Sequence, residues 1–209
     1  MTRVKICGIT NLDDALLAIK FGADELGFNF YKKSPRFITP DAAKVIVDGL
    51  PKDISLVGVF VNESIDAIAT TANRVGLGTI QLHGDEDIDF VNAVRDSSGL
   101  KVIKAIRVAP DFAPSDATGF NADAILLDGF SAKERGGTGE TFDWEIARMV
   151  RALVPGLYLA GGLSSANVGD AIRKVQPDAV DTCSRIESEP GKKDAAKLKD
   201  FIKAVKETI

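Results

Sequence analysis

The chain has 209 residues, of which 45% are hydrophobic and 27% charged, and its formal net charge is −4 at pH 7. This composition is typical of a globular protein, and we expect a single domain over residues 1–209. A mildly acidic chain has no surplus of cations for phosphodiester backbones, and no stretch approaches the roughly 18 apolar residues of a membrane span. Neither nucleic acid nor a membrane is therefore an expected partner.

The two cysteines lie far apart in the sequence, and there is one histidine. These counts argue against a disulfide framework and against a zinc site built from paired Cys and His ligands. The amino terminus enters the first predicted strand without a signal-type apolar segment. We therefore expect a cytoplasmic protein in a reducing compartment.

The first predicted strand ends on a cysteine. Val4 and Ile6 have the β-branched bulk that suits a buried parallel strand, and Cys7 is its last residue. Gly8 permits a sharp turn, and Thr10 is the predicted cap of the helix that follows. This arrangement is typical of a strand that delivers a nucleophile or base to a catalytic rim. The alternative is that Cys7 is only a small buried hydrophobic residue.

Short apolar runs then alternate with longer segments of helical period. Further strands are predicted at residues 25–30, 55–60, 79–82, 101–105, 124–128, 157–160 and 179–181. Complete helices are predicted at residues 11–21, 86–96 and 193–206. A second helix begins at residue 39, a third follows residues 61–64 and ends at residue 74, and a further helix begins near residue 143. The helix after the seventh strand is predicted to have its cap at Ser164 or Ser165. Residues 109–121 contain two prolines and little amphipathic period, so the fifth helix is predicted to be short or irregular.

About eight β units, most with a following helix and none with a hairpin-type turn, are what a (β/α)8 TIM barrel requires. The alternative is a doubly wound open sheet, which usually has fewer strands and would leave the last two units without a role. In a barrel, the carboxyl ends of the strands converge on one mouth. The residues at those ends are therefore the ones to examine for chemistry.

Cys7 and Asp128 end the first and sixth predicted strands, Asp181 ends the eighth, and Arg36 lies in the second loop. Cys7 and Asp128 are far enough apart around the ring to lie on opposite sides of a bound molecule, as one base and one acid would. The alternatives are a helix cap or loop salt bridge for Asp128 and a surface charge for Arg36.

The ends of the seventh and eighth predicted strands indicate an anion site. Gly161 and Gly162 allow the backbone to approach a ligand closely, and Ser184 lies where a short helix can begin after Asp181. Barrels often hold a phosphate after strands seven and eight. A phosphorylated small molecule is therefore the expected ligand.

Taken together, the motifs resemble the phosphoribosylanthranilate isomerase family over essentially the whole chain. The motifs that carry this resemblance are Lys5-Ile6-Cys7-Gly8-Ile9-Thr10, Gly27-Phe28 to Phe30 with Ser34-Pro35-Arg36, Gly58-Val59-Phe60-Val61-Asn62, Gln81-Leu82-His83-Gly84, Leu127-Asp128, Gly137-Thr138-Gly139 with Thr141-Phe142-Asp143-Trp144, and Ala160-Gly161-Gly162-Leu163. The resemblance implies an Amadori rearrangement in tryptophan biosynthesis, from N-(5-phosphoribosyl)anthranilate to 1-(2-carboxyphenylamino)-1-deoxyribulose 5-phosphate. It implies neither a metal nor an organic cofactor.

The candidate residues fit this chemistry. Opening the furanose requires a proton on the ring oxygen, for which Asp128 is the candidate acid. Removing the C2′ proton requires a base, and a thiolate of Cys7 needs a nearby positive charge, for which Lys5 and Arg36 are candidates. The resemblance further implies that Arg36 meets the anthranilate carboxylate and that Asp181 bonds ribose hydroxyls. It implies that Gly161, Gly162 and Ser184 hold the phosphate.

Two positions need separate comment. Where many relatives read Ser-Ser-Gly-Val-Glu, this chain reads Cys183-Ser184-Arg185-Ile186-Glu187. Arg185 can either fold over the phosphate as an added contact or point away and pair with an acid such as Glu187 or Glu189, and we expect the second. His83 ends the fourth strand, where we expect a packing or loop hydrogen-bond role.

Two other functions remain as alternatives. The histidine-pathway Amadori isomerase would show a second glycine-rich phosphate site and an aspartate in place of Cys7, and neither is found. A barrel that only binds a phosphorylated ligand, with Cys7 sensing oxidants, is the non-enzymatic alternative. The predicted helices carry no surplus apolar patch, which favours a monomer slightly over a homodimer.

Overall fold

The computed structural model describes residues 1–129 and 142–208, and within them eight parallel strands form a closed barrel in chain order. The strands are β1 (Arg3–Cys7), β2 (Glu25–Asn29), β3 (Ser55–Phe60), β4 (Thr79–Leu82), β5 (Lys101–Val108), β6 (Ala124–Gly129), β7 (Leu157–Leu159) and β8 (Ala179–Thr182). The helices are α1 (Leu12–Phe21), α2 (Pro40–Asp48), α3 (Ile65–Val75), α4 (Ile88–Ser98), α5 (Trp144–Arg151), α6 (Val168–Val175) and α7 (Ala195–Lys206).

The predicted (β/α)8 barrel is confirmed, including its irregular fifth connection. Between β5 and β6 the described chain has only a 3-10 helix, Pro114–Ala117. Proline at its start removes a backbone donor, and the apolar residues of the segment, such as Phe112, Ala117 and Phe120, pack against the core without the spacing of an α-helix. The motif Gly137-Thr138-Gly139 and Thr141 lie outside the described residues.

Two predicted helix caps are wrong. Asn11, not Thr10, caps α1, since its side chain accepts the N–H of Asp14. The Thr10 hydroxyl instead donates to the carbonyl of Gly191. Helix α6 begins at Val168, later than a cap at Ser164 or Ser165 would require, because residues 165–167 form turns first.

A short antiparallel hairpin follows β8, which the sequence patterns did not predict. Its strands are β9 (Glu187–Glu189) and β10 (Lys192–Lys193). The turn between them includes Gly191 at φ 84°, in the left-handed region that glycine adopts without penalty. The hairpin matters for function, because it brings Glu187 and Lys193 back to the end of β1.

Alternation along the strands determines which side chains reach the barrel interior. Val4 and Ile6 of β1 belong to the main apolar core with the helices, so Lys5 and Cys7 face inward. A second apolar cluster fills the barrel with residues such as Ile103, Leu126 and Tyr158. Among the described residues, no helix combines the length and apolar character needed to cross a bilayer.

Candidate active site

A cavity of about 390 Å³ opens at the carboxyl ends of the barrel strands. All seven residues predicted for the site lie in its wall, namely Cys7, Arg36, Asp128, Gly161, Gly162, Asp181 and Ser184. In the closed ring of strands, β1 and β6 are separated by β7 and β8 in one direction and by β2 to β5 in the other. Cys7 and Asp128 therefore lie across the cavity from each other.

A fully buried ion pair lies beneath Cys7. Lys5 Nζ donates to Asp181 Oδ1 at 2.8 Å, and the Lys5 side chain has no exposed surface. Burial opposes the charge on Lys5, but the nearby negative charges of Asp181 and Cys7 outweigh it and raise its pKa. Gly27 leaves room for this pair, since a Cβ there would lie 2.9 Å from Cys7 Sγ and 3.2 Å from Lys5 Nζ.

The pKa of Asp181 is raised to about 7, and burial is the largest cause. The negative charges of Cys7 and Asp128 add to it, and together these effects outweigh the opposing charge of Lys5. Asp181 therefore changes its charge near neutrality, while Lys5 stays protonated. Lys5, at the floor of the cavity, therefore remains a cation beside Cys7 at pH values near neutrality.

The environment of Cys7 favours its thiolate. A hydrogen bond from Cys183 has the largest effect, and the charges of Lys5 and Lys193 add to it, so the pKa of Cys7 falls well below its usual value in spite of burial. The same hydrogen bond, with burial, raises the pKa of Cys183 well above its usual value. The expected positive neighbour of Cys7 is thus present as Lys5, with Lys193 as a second cation.

Arg36 is held by a carboxylate from the hairpin. Arg36 Nε lies 3.0 Å from both oxygens of Glu187, and Nη2 donates to Oε2 at 2.7 Å. Lys193 Nζ also donates to Glu187 Oε1 at 2.9 Å and to the carbonyl of Cys7 at 2.6 Å. Burial alone would raise the pKa of Glu187, but the hydrogen bonds and charges of Arg36 and Lys193 lower it. The side-chain ion pairs of Glu187 go to these two cations, and the expected pairing of Arg185 with an acid such as Glu187 or Glu189 stays a prediction.

The acid side of the cavity is less completely bonded. His83 Nε2 lies 3.4 Å from Asp128 Oδ2, and Asp128 Oδ1 accepts the N–H of Gly129 at 2.9 Å. Gln81 Nε2 lies 2.9 Å from His83 Nδ1. Within the described residues, His83 Nε2 and Gln81 Oε1 are buried without a hydrogen-bond partner. Donor and acceptor capacity therefore remains unused on this side.

The predicted anion site lies at the ends of β7 and β8. Gly161 and Gly162 have φ values of 80° and 65°, and Ser184 begins a 3-10 turn, Ser184–Ile186. Asn167 Nδ2 donates to the Gly162 carbonyl at 3.2 Å and fixes the loop between β7 and α6. The exposed side chain of Arg185 also borders the cavity.

The sequence did not single out Glu187, Lys193 or Gln81 as part of this site. Gln81 could have been found in the same way as Lys5, because it lies two residues before His83 at a strand end and its side chain therefore faces the same way. Glu187 and Lys193 have no such local signal, since a hairpin outside the βα pattern brings them in. Among the described His, Cys, Asp and Glu residues, no three are grouped to hold a metal ion.

Comparison with known proteins agrees with this geometry. Residues 4–204 match the family model of N-(5′-phosphoribosyl)anthranilate (PRA) isomerase. N-(5′-phosphoribosyl)anthranilate isomerase of Pelobacter propionicus is 48% identical over 208 residues, covering 100% of this chain and 97% of the relative.

Two solved structures extend the comparison. One contains monomers of the dimeric phosphoribosylanthranilate isomerase from Thermotoga maritima, with a TM-score of 0.88, 42% identity, and coverage of 99% of this chain and 100% of the other. Another is a phosphoribosylanthranilate isomerase in complex with reduced 1-(o-carboxyphenylamino)-1-deoxyribulose 5-phosphate, with a TM-score of 0.85, 41% identity and the same coverage. The chain therefore belongs to the N-(5′-phosphoribosyl)anthranilate isomerase family and is an isomerase of tryptophan biosynthesis.

Proposed function

We propose that this isomerase works by general acid-base catalysis, with Asp128 as the acid and Cys7 as the base. The observation that carries the proposal is that the two side chains line one cavity from opposite strands of the ring, with the buried cation Lys5 next to Cys7. An acid and a base on opposite sides of a sugar can act on two different atoms of it without reorienting the substrate.

In this mechanism, Asp128 gives a proton to the furanose ring oxygen, and the bond from that oxygen to C1′ opens to leave a Schiff base with the anthranilate nitrogen. The Cys7 thiolate then takes the C2′ proton, and the electron pair moves to form an enolamine. The enolamine tautomerises to the ketone product as the C2′ hydroxyl loses a proton and C1′ gains one, and exchange with solvent returns the proton held by Cys7 to Asp128. No atom is gained or lost, and the stabilised thiolate lets the second step proceed at neutral pH.

His83 is proposed as a positioning residue for Asp128. With Nδ1 facing the Gln81 amide, the remaining proton of a neutral imidazole lies on Nε2, which is 3.4 Å from Asp128 Oδ2. The two atoms make no hydrogen bond in the free enzyme. When the contact shortens around bound substrate, it orients the carboxyl group toward the cavity, and Asp128 delivers the proton.

Substrate contacts are proposed for the remaining predicted residues. Arg36 Nη1 makes no hydrogen bond within the described part of the chain, so it can meet the anthranilate carboxylate while Glu187 holds the other guanidinium nitrogens. Asp181 Oδ1 is taken by Lys5, which leaves Oδ2 for ribose hydroxyls. Gly161, Gly162 and Ser184 are the proposed phosphate site, and a related isomerase binds a phosphorylated product analogue.

Loss of anthranilate substrate fluorescence provides the test of the two roles. We expect Cys7→Ser to remove most turnover with substrate affinity within about tenfold, because a hydroxyl keeps the shape without the basicity. Asp128→Asn is expected to lower kcat as well, since an amide has no acidic proton. If Cys7→Ser keeps near-full activity the base lies elsewhere, and an unchanged kcat in Asp128→Asn removes that residue from the mechanism.

A monomer remains the proposed assembly, although one relative is dimeric. Among the described residues, the large exposed apolar side chains are spread over several elements, including Leu16 on α1, Val45 on α2 and Met149 on α5. Light scattering coupled to size-exclusion chromatography tests this, and a mass of two chains across a dilution series would contradict it.

The cytoplasm is the proposed location. Cys7 and Cys183 are both free thiols in the structure, which suits a reducing compartment. Immunoblotting of cell fractions tests this proposal, and recovery in an extracellular or membrane fraction would contradict it.

A further inference from the structure

The second cysteine lies beside the first at the mouth of the barrel. Strand β1 pairs with β8 in a register that places Lys5 opposite Asp181 and Ile6 opposite Thr182. Continuing this register by one residue places Cys7 opposite Cys183, the first residue after β8. Neighbouring strands are about 4.8 Å apart, within the roughly 4.4 to 6.8 Å that separates the Cα atoms of a disulfide.

Both sulfur atoms face the same space. Lys5 and Asp181 point into the barrel and bond each other, and residues two positions further along point to the same side. Lys193 Nζ joins the pair, since it donates to the Cys7 carbonyl at 2.6 Å and lies 3.9 Å from Cys183 Sγ. Gly8 makes the approach possible, because a Cβ at that position would lie 2.8 Å from Cys183 Sγ.

We propose that Cys7 and Cys183 form an oxidation site, in which a peroxide converts the two thiols to a disulfide and reversibly stops turnover. Both residues line the open cavity, so a small oxidant can reach them. The loss of turnover rests on the proposed role of Cys7 as the base, whereas formation of the bond does not.

The chemistry uses hydrogen peroxide as the oxidant. The Cys7 thiolate attacks one peroxide oxygen, an S–O bond forms as the O–O bond breaks, and the leaving hydroxide takes a proton to become water. Cys183 then attacks the sulfur of the Cys7 sulfenic acid, the S–S bond forms, and the S–O bond breaks. The second hydroxide leaves as water with the proton of Cys183. Two thiols are oxidised and one peroxide is reduced to two waters.

The inequality of the two thiols favours this order of events. The hydrogen bond from Cys183 and the charges of Lys5 and Lys193 lower the pKa of Cys7, which makes it the sulfur that reacts with peroxide first. Cys183 stays a thiol, because its hydrogen bond to Cys7 and its burial raise its pKa. A reactive thiolate next to a resolving cysteine is the usual arrangement of a reversible oxidation site.

The experiment treats the full chain with increasing hydrogen peroxide and measures free thiols, turnover and the masses of the proteolytic peptides that contain Cys7 and Cys183, because the exposed Met1 and Met149 also take up oxygen and change the intact mass. The chain has only two cysteines, so thiol counting reports on this pair alone. We expect both thiols to disappear with a mass loss of about 2 Da, turnover to fall at least tenfold, and dithiothreitol to restore all three. A disulfide that forms without loss of turnover would support the site and contradict the assignment of Cys7 as the base.

Cys183→Ser is the matched control, with its activity compared with that of its own untreated sample. Without a resolving thiol, Cys7 should proceed to the sulfinic acid, with a mass gain of about 32 Da and activity that dithiothreitol does not restore. The proposal is overturned if the wild type gains that mass at the same peroxide dose as the variant. It is also overturned if non-reducing electrophoresis finds the disulfide only between two chains.

Discussion

On the β1 and β8 side of the cavity, two ion-paired groups surround Cys7, with N–O distances of 2.7 to 2.9 Å from Lys5 to Asp181 and from Arg36 and Lys193 to Glu187. On the β4 and β6 side, His83 Nε2 and Asp128 Oδ2 are 3.4 Å apart, and His83 Nε2 and Gln81 Oε1 have no hydrogen-bond partner among the described residues. The protein thus completes the environment of the base by itself. The acid side retains polar capacity that a substrate can use.

The difference follows from what each group must do before the substrate arrives. A thiolate must already be ionised, so fixed cations have to be present in the free enzyme, and they need carboxylates to hold them. A proton donor has to align with an oxygen that only the substrate brings, and catalytic hydrogen bonds often tighten only in the complex. We therefore expect loss of the carboxylate that holds the cations on the base side to affect stability, and changes to His83 on the acid side to affect kcat.

The largest expected effect comes from Glu187→Gln. The amide leaves two buried cations, Arg36 and Lys193, without a countercharge, and breaking a buried ion pair costs about 3 to 5 kcal/mol of unfolding free energy. Urea unfolding followed by circular dichroism measures the loss. Glu189→Gln, at an exposed position in the same hairpin, is the matched control and should stay within about 0.5 kcal/mol of the wild type. A Glu187→Gln protein as stable as that control would contradict the role given to the network.

The ion pairs of Glu187 also make the unfolding free energy depend on pH. The native pKa of Glu187 is lowered, so its contribution to stability is present above the unfolded pKa and is lost as pH falls through the native value. The wild type should therefore lose more unfolding free energy than Glu187→Gln between neutral pH and the acidic side of the ordinary carboxyl range. Parallel stability curves for the two proteins would contradict this.

The second prediction concerns Arg36→Met, which tests whether the base side also binds substrate. We expect KM to rise by about tenfold or more while kcat falls less, because the anthranilate carboxylate lies away from the bonds that break. Arg36→Lys keeps a positive charge but lacks the planar guanidinium group that binds Glu187 through two nitrogens, so it should recover only part of the affinity. Equal affinity of the wild type and Arg36→Met for the reduced product analogue would remove Arg36 from the binding site.

On both sides of the cavity, the sequence predicted the residues at the strand ends better than the contacts that hold them. Cys7, Asp128 and Asp181 were found because each ends or adjoins the end of a strand, and a barrel brings such positions to one mouth. The anchoring of Arg36 was not predicted, because Glu187 and Lys193 lie about 150 residues away in a hairpin that the βα pattern does not contain. Long-range side-chain pairing has no period along the chain, so only the folded structure provides it.

The caps illustrate the same limit at short range. Thr10 and Asn11 are both good capping residues, and the sequence alone does not decide between them. The choice of Asn11 is coupled to a distant contact, since the Thr10 hydroxyl bonds the Gly191 carbonyl in the hairpin. Local propensity gave the helix, and tertiary contact set its first residue.

On the acid side, substitutions of His83 test its proposed role in positioning Asp128. His83→Ala should lower kcat about tenfold with little change in KM, because Asp128 loses the group that orients it while the substrate contacts stay in place. His83→Gln places an amide near the position of Nε2 and should recover most of that loss. A purely structural role would instead lower stability in both variants and leave kcat unchanged in the folded fraction, which urea unfolding and active-site titration together distinguish.

The smallest expected effect is that of Arg185→Gly, at the border between the two sides. Arg185 is exposed at the cavity wall, where a single charge contact contributes about 0.2 to 1 kcal/mol. The backbone of Gly161 and Gly162 and the Ser184 hydroxyl remain as phosphate donors, and a cation at the amino end of the following turn opposes the backbone dipoles there. We expect KM to change less than about threefold, with the same salt dependence as the wild type and as Arg148→Ala on α5. A tenfold loss of affinity with a shallower salt slope would show that Arg185 binds the phosphate.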